Sequence, residues 1–424
     1  MEIYTVISSV RRACLLACAM LICPAYAWAQ AAPLSFREAL ARVFERNPDL
    51  ALFAFELKAQ DGRVQQAGAR PHLELGLLVE NALGNGVHSG VDAAETTLSL
   101  GYTLERGAAQ RRFDAAAAGR DAISTELQIR RLDVAAETAR RYIAVLAGQQ
   151  HLTELHEARS LAEQTLAAVV TRVQAAKAPE AEEARAQAQL ARASLEEEHA
   201  EHELLTTRRR LAALWGETDA AFGTLNGELS QLAGLPTYES LRARLAQNRH
   251  FERFVTEQRL REAELRLAQT RRRPPWQVSA GVRRFENTDD HAFVFGFTVP
   301  LPSPAQAQGA ITTARAQLEE VDAKRAALEV QLDLELFSIY QDLNHAYTEI
   351  TILRDQVLPK MRGAVEESRY AYERGRYSYM EWSAAQREYL ELKSALLAAY
   401  ANAHELRVEI ERLTGTSLIE RDLP

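Results

Sequence analysis

Four short stretches of the chain alternate between apolar and small or polar residues, and they fall into two pairs about 200 residues apart. In the first pair Leu73, Leu75, Leu77 and Val79 alternate with His72, Glu74, Gly76 and Leu78. Leu98, Leu100, Tyr102 and Leu104 then alternate with Thr97, Ser99, Gly101 and Thr103. In the second pair Trp276, Val278, Ala280 and Val282 alternate with Gln277, Ser279, Gly281 and Arg283. Phe293, Phe295, Phe297 and Val299 follow, alternating with Val294, Gly296 and Thr298. This period of two predicts strands over about 72–80, 95–104, 276–285 and 291–299. A loop with Gly84, Gly86 and Gly90 would join the first two, and an acidic turn from Glu286 to Asp290 the last two.

After each pair the pattern changes to that of long helices. From about Ala108 to Ala175 there is no proline, and Gly119 and Gly148 are the only glycines. One unbroken helix of that length would reach roughly 100 Å. A break is predicted at Lys177-Ala178-Pro179, then a second helix to about Leu214. The second half repeats this: a helix from about Ala310 to Arg374, a break at Gly375–Ser378, and a helix to about Leu413. Pro359 inside the third helix predicts a kink or irregularity. Stripes such as Leu127, Leu132, Ala135, Ala139, Tyr142 and Val145 suit side-by-side packing of long helices.

Matched motifs mark the chain as a duplication. Asn47-Pro48 opens one half and Asn248-Arg249 the other; Leu214-Trp215-Gly216 closes one and Leu413-Thr414-Gly415 the other. Ala186-Gln187 and Ala385-Gln386 also correspond. The expected repeats are residues 30–225 and 226–416, with a tail over 417–424. Residues 1–29 form a secretory signal pattern: Arg11 and Arg12, an apolar run from Ala13 to Cys23, then Ala27-Trp28-Ala29. Cys14, Cys18 and Cys23 all lie within it, so the mature chain would hold no thiol.

The formal charge of −8 and the lack of a basic patch argue against a nucleic-acid partner. No stretch of the mature chain approaches the ~18–20 apolar residues of a membrane helix. If this chain crosses a membrane, it does so as strands. Four strands are too few to close a barrel, which needs about eight, and open edges are not tolerated in lipid. Other copies must complete the wall. A periplasmic coiled-coil scaffold would account for the helices, but not for four alternating segments at matched positions. No phosphate-binding loop, dinucleotide fingerprint or catalytic triad is present, so no enzyme activity and no cofactor are expected. His199 and His202 pair at helical spacing, within a charged stretch that reads as a solvated face.

The duplicated layout resembles the outer-membrane efflux protein (TolC) family over nearly the whole mature chain. Within it, the chain is most similar to the heavy-metal cation efflux (CzcC-like) branch. Asn47-Pro48-Asp49-Leu50, Glu80-Asn81, Glu95–Leu100, Val299-Pro300-Leu301-Pro302 and Gln308-Gly309-Ala310-Ile311 carry the likeness. Gly107-Ala108-Ala109-Gln110 departs from the Gly-Gly-Lys or Gly-Gly-Arg usual there. The resemblance implies a mostly α fold with a small membrane β-barrel part: a homotrimer whose twelve-stranded barrel stands in outer-membrane lipid on an α-helical tunnel through the periplasm. Its implied partners are a periplasmic adaptor protein and an inner-membrane RND-type pump. Its implied cargo is heavy-metal cations, with drugs, other small molecules or secreted polypeptides as the alternative.

By the same resemblance the hairpin tips meet the adaptor: Ala176, Lys177, Ala178 and Pro179 in the first half, Gly375, Arg376, Tyr377 and Ser378 in the second. Glu182 and Glu381 would ring the pore entrance, and Tyr372 would help latch it. Tyr377 stands where the family has a basic latch partner, which leaves Arg374 or Arg376 as substitutes. Glu74, Glu80 and Arg283 are lumen candidates in the strands.

Overall fold

The computed structural model describes residues 33–415 apart from 247 and 302. The expected signal segment 1–29, the tail 417–424 and Pro302 of the fourth motif lie outside the described residues. The first repeat contributes α1 (Phe36–Arg46), α2 (Pro48–Gly68), β1 (Leu73–Glu80), β2 (Glu95–Leu104), α3 (Ala108–Gln174) and α4 (Glu180–Ala212). The second contributes α5 (Tyr238–Leu245), α6 (Arg249–Gln269), β3 (Trp276–Phe285), β4 (Asp290–Thr298), α7 (Pro304–Ile352), α8 (Leu358–Glu373) and α9 (Tyr379–Thr414).

The strands form one antiparallel sheet in the order β1-β2-β3-β4, so β1 and β4 are its open edges. β4 starts at Asp290, inside the expected turn, because Asp290 already pairs with Phe285. The register places Leu75, Leu100, Ala280 and Phe295 in one row across the sheet. The adjacent row, on the other face, is Gly76, Ser99, Gly281 and Val294. Leu75 is 71% and Phe295 79% exposed, so the chain does not cover its own apolar face.

The long helices are continuous where no residue interrupts them. α3 runs for 67 residues. Its counterpart is divided: α7 is separated from α8 by a π-helical segment, Leu353–Val357. The cause is Pro359, which has no N–H for the carbonyl four residues back and whose ring crowds it; the wider π turn accommodates both. α7 begins six residues before the expected Ala310, because Pro304 suits the first helical position.

The main core lies where the repeats open and close. It gathers Phe36, Leu40 and Val43 of α1, Tyr142 and Leu146 of α3, Trp215, Leu336 and Leu343 of α7, and Tyr400 and Leu413 of α9. Here the matched motifs meet. Asn47 Nδ2 donates to the Leu214 carbonyl at 2.8 Å while its Oδ1 accepts from the Leu50 amide at 3.0 Å. Asn248 repeats this, donating to the Leu413 carbonyl at 2.5 Å and accepting from the His250 amide at 2.7 Å. Each asparagine caps its helix and holds the end of its own hairpin.

Candidate functional site

The two hairpin tips have the same backbone geometry, set by helix C-terminal chemistry. At the first, the Lys177 amide bonds to the Arg172 carbonyl and the Ala176 amide to that of Val173, at 2.8 and 2.9 Å. At the second, Arg376 bonds to Ala371 and Gly375 to Tyr372, both at 2.9 Å. Both are Schellman closures, which need a left-handed residue one past the C-cap. Gly375 supplies it at φ 73°, with no Cβ to strain. Ala176 takes the same place at φ 54°, a conformation that costs an alanine roughly 1 kcal/mol.

Glu182 and Glu381 stand at the same position, third in the helix after each tip. Their neighbours separate them. Ser378 caps α9, and Glu381 folds back to accept from its amide at 2.8 Å and its hydroxyl at 3.0 Å, completing a capping box. Pro179 precedes α4 and offers neither donor. The Glu182 carboxylate instead reaches across to the other hairpin and accepts from the Tyr372 hydroxyl at 3.0 Å. The structure therefore unites Glu182 with Tyr372 and leaves Glu381 engaged locally.

Tyr372 sits in a small separate core with Val169, Ala186, Tyr379 and Trp382. Its ring stacks on Trp382 with centroids 5.1 Å apart. Burial pushes its phenol up to about 12, the Glu182 carboxylate adds to this, and a nearby guanidinium opposes it. The phenol therefore remains a donor throughout the ordinary pH range.

That guanidinium belongs to Arg172, not to Arg374 or Arg376. Arg374 lies over the ring of Tyr370, 4.1 Å from its centroid. Arg172 lies over Tyr372 at 4.7 Å and donates to the carbonyls of Tyr372 and Glu373. It is one arginine in a 67-residue helix, and its partners lie 200 and 201 positions away, so no local motif marks it. Lys177, Arg376 and Tyr377 are exposed on the tips.

Of the lumen candidates, Arg283 is not free. It donates to Glu95 and Glu80, both at 2.8 Å, and to the Thr97 hydroxyl at 2.9 Å. Glu74 lies across the ladder from Gly101. Among the described residues, no group of three or more His, Cys, Asp or Glu could hold a metal ion. None of the described helices is long and apolar enough to cross a membrane.

Residues 39–217 match the outer membrane efflux protein family. The chain is 25% identical over 393 residues to the cobalt-zinc-cadmium resistance protein CzcC of Cupriavidus metallidurans, covering 92% of each. Its fold resembles that of a membrane protein from Pseudomonas aeruginosa (TM-score 0.74, 17% identity, 90% of this chain and 93% of that one). It also resembles the outer membrane protein VceC of Vibrio cholerae (TM-score 0.70, 18% identity, 90% and 96%).

Proposed function

We propose that this chain, which carries an outer membrane efflux protein domain over residues 39–217, is one subunit of a trimeric exit duct for heavy-metal cations. The observation that carries the reading is the sheet: four strands, two open edges and an uncovered apolar face. In lipid such a sheet needs neighbours on both sides, and an apolar face is what lipid requires. Three copies of four strands give a twelve-stranded barrel in the outer membrane, with the helices forming a periplasmic tunnel.

The duplication indicates how the copies meet. Inside the chain, β2 of the first repeat pairs with β3 of the second. Repeating that step pairs β4 of one copy with β1 of the next. Likewise α3 of the first repeat lies against α6 of the second. The same step sets α7 of one copy against α2 of its neighbour. Those two helices leave large apolar residues uncovered: Val330 and Leu334 on α7, Leu52 and Phe55 on α2.

The duct catalyses nothing; it conducts. A periplasmic adaptor docks at the tips formed by Ala176–Pro179 and Gly375–Ser378, and an inner-membrane pump drives export. Three copies of Glu182 and Glu381 around a narrow entrance favour cations over anions. The cargo assignment rests on likeness to CzcC, a cobalt-zinc-cadmium resistance protein. Growth of a deletion strain, with and without the restored gene, on cobalt, zinc, cadmium and a drug panel tests it. Restored metal tolerance supports the reading; restored drug tolerance alone refutes the cargo while leaving the duct.

A further inference from the structure

We propose that the helix-side edge of the sheet's apolar face is a binding site for the phosphate of anionic phospholipid headgroups. The inference rests on the duct reading, which puts that edge, where strands meet helices, in the inner leaflet of the outer membrane. Five arginines gather there: Arg70 leads into β1, Arg106 follows β2, and Arg271, Arg272 and Arg273 lead into β3. All five are exposed. β1, β2 and β3 are neighbours in the sheet, with Leu73 opposite Tyr102 and Leu104 opposite Trp276. At about 4.8 Å per strand, the arginines share a patch roughly 10 Å wide. Arg106 shows which face the patch adjoins. Its guanidinium lies over the Trp276 ring, 4.6 Å from the centroid, and Trp276 packs edge-on against Phe297 on the apolar face.

The two edges of the sheet differ in how their arginines are neutralised. At the far edge Arg283 is held by Glu80 and Glu95, both at 2.8 Å, and Arg284 by Glu286 and Asp289, both at 3.1 Å. At the helix-side edge Glu105, next to Arg106 in sequence, is taken by Arg112 through two bonds of 2.7 and 2.6 Å. Arg272 meets a neutral oxygen, that of the Gln308 amide, at 3.0 Å. Among the described residues, Arg70, Arg106, Arg271 and Arg273 pair with no carboxylate. Crowded cations repel one another unless an anion lies among them, and the guanidinium fork matches the oxygens of a phosphate. Tryptophan and tyrosine mark the boundary between lipid and water, and basic clusters at that level recruit anionic headgroups. Trp276 and Tyr102 supply the boundary here. A headgroup phosphate level with Arg106 leaves its acyl chains to run along the row of Leu73, Tyr102, Val278 and Phe297. That adjoining apolar surface is what favours a lipid over a free anion.

The mature protein in phospholipid vesicles tests this through the fluorescence of Trp276. Trp28 lies in the expected signal segment, and Trp215 and Trp382 are each only 2% exposed. Acyl chains carrying bromine quench a tryptophan that they touch, so brominated phosphatidylglycerol is compared with brominated phosphatidylcholine. Phosphatidylglycerol should be preferred beside Trp276 by about fivefold or more, the worth of one basic side chain at an anionic surface. In the combined variant Arg70→Gln, Arg106→Gln and Arg273→Gln the preference should fall to about twofold or less. Arg284→Gln, at the far edge, should keep it. No preference in the parent, or an undiminished one in the combined variant, overturns the site. Inorganic phosphate should compete no better than chloride at equal ionic strength. If it abolishes the preference, the patch takes free anions and the lipid assignment is overturned. If neither brominated lipid quenches Trp276, the sheet does not stand in lipid, and it is the barrel reading that fails, taking this site with it.

Discussion

A lysine placed on the apolar face of the sheet separates a lipid-facing barrel from every water-soluble arrangement. Leu100 lies near the middle of β2, a strand of 10 residues, in the row with Leu75, Ala280 and Phe295. It is 53% exposed, so nothing within the chain would hide the charge. A lysine near the midplane of a barrel's lipid face costs ~2–4 kcal/mol, and three copies raise this to ~6–12 kcal/mol per trimer. That rivals the whole stability of an ordinary domain, ~5–15 kcal/mol. Ser99 is the control one residue away. It faces the other side, and its partners across the ladder are Gly76 and Gly281. Ser99→Lys should therefore stay within ~0.5 kcal/mol of the parent, its ammonium in a wet lumen. The assay is the yield of protein in the outer-membrane fraction and the temperature at which the detergent-resistant oligomer dissociates. Leu100→Lys should lose the oligomer and Ser99→Lys retain it with altered conductance. Equal stability of the two variants, or loss confined to Ser99→Lys, would refute the assignment of faces and with it the barrel.

Asn248→Ala should destabilise by ~2–4 kcal/mol, because it removes a helix cap and strands the buried Leu413 carbonyl; Asn248→Asp, which keeps the cap but presents a second acceptor to that carbonyl, should be no better, as chemical denaturation will show. Ala176→Gly should stabilise the first tip by up to ~1 kcal/mol by relieving the left-handed alanine, read as slower exchange of the Lys177 amide; faster exchange would count against strain there. His404 and His250 are both held below their ordinary value of 6.5, in each case chiefly by burial. The unfolded chain then binds protons more readily, so their stabilising contribution is complete above pH ~6.5 and declines as the pH falls toward their folded-state values. Thermal unfolding should come earlier at about pH 5.5 than at about pH 7.5, and less so in His404→Gln, whose amide can still donate to the Leu229 carbonyl as the imidazole Nε2 does.

Much of the architecture could be read directly from the residues, because it is encoded locally. Period-two patterning is a property of neighbouring side chains, so the strands around Leu75, Leu100, Ala280 and Phe295 were visible without any long-range knowledge. Proline and glycine act within a turn of where they stand, which made the breaks near Pro179 and Gly375 readable and placed the irregularity next to Pro359. The expectation of a duplication rests on the same kind of local signal: matched short motifs at matched offsets. The equivalent positions of Glu182 and Glu381 were also visible, but not their different partners, which depend on whether Ser378 or Pro179 precedes each helix.

What the sequence determined by itself, then, was the inventory of strands and helices, their order, and that the strands number only four. Only the tertiary structure decided which side chains meet across 200 residues of chain: Arg172 over Tyr372, Glu182 on its hydroxyl, and Asn47 and Asn248 on the far ends of their hairpins. The physical reason is reach. Propensity, capping and periodicity act over a few residues, whereas an arginine on a 67-residue helix acquires its partners only when packing brings a second helix end against it.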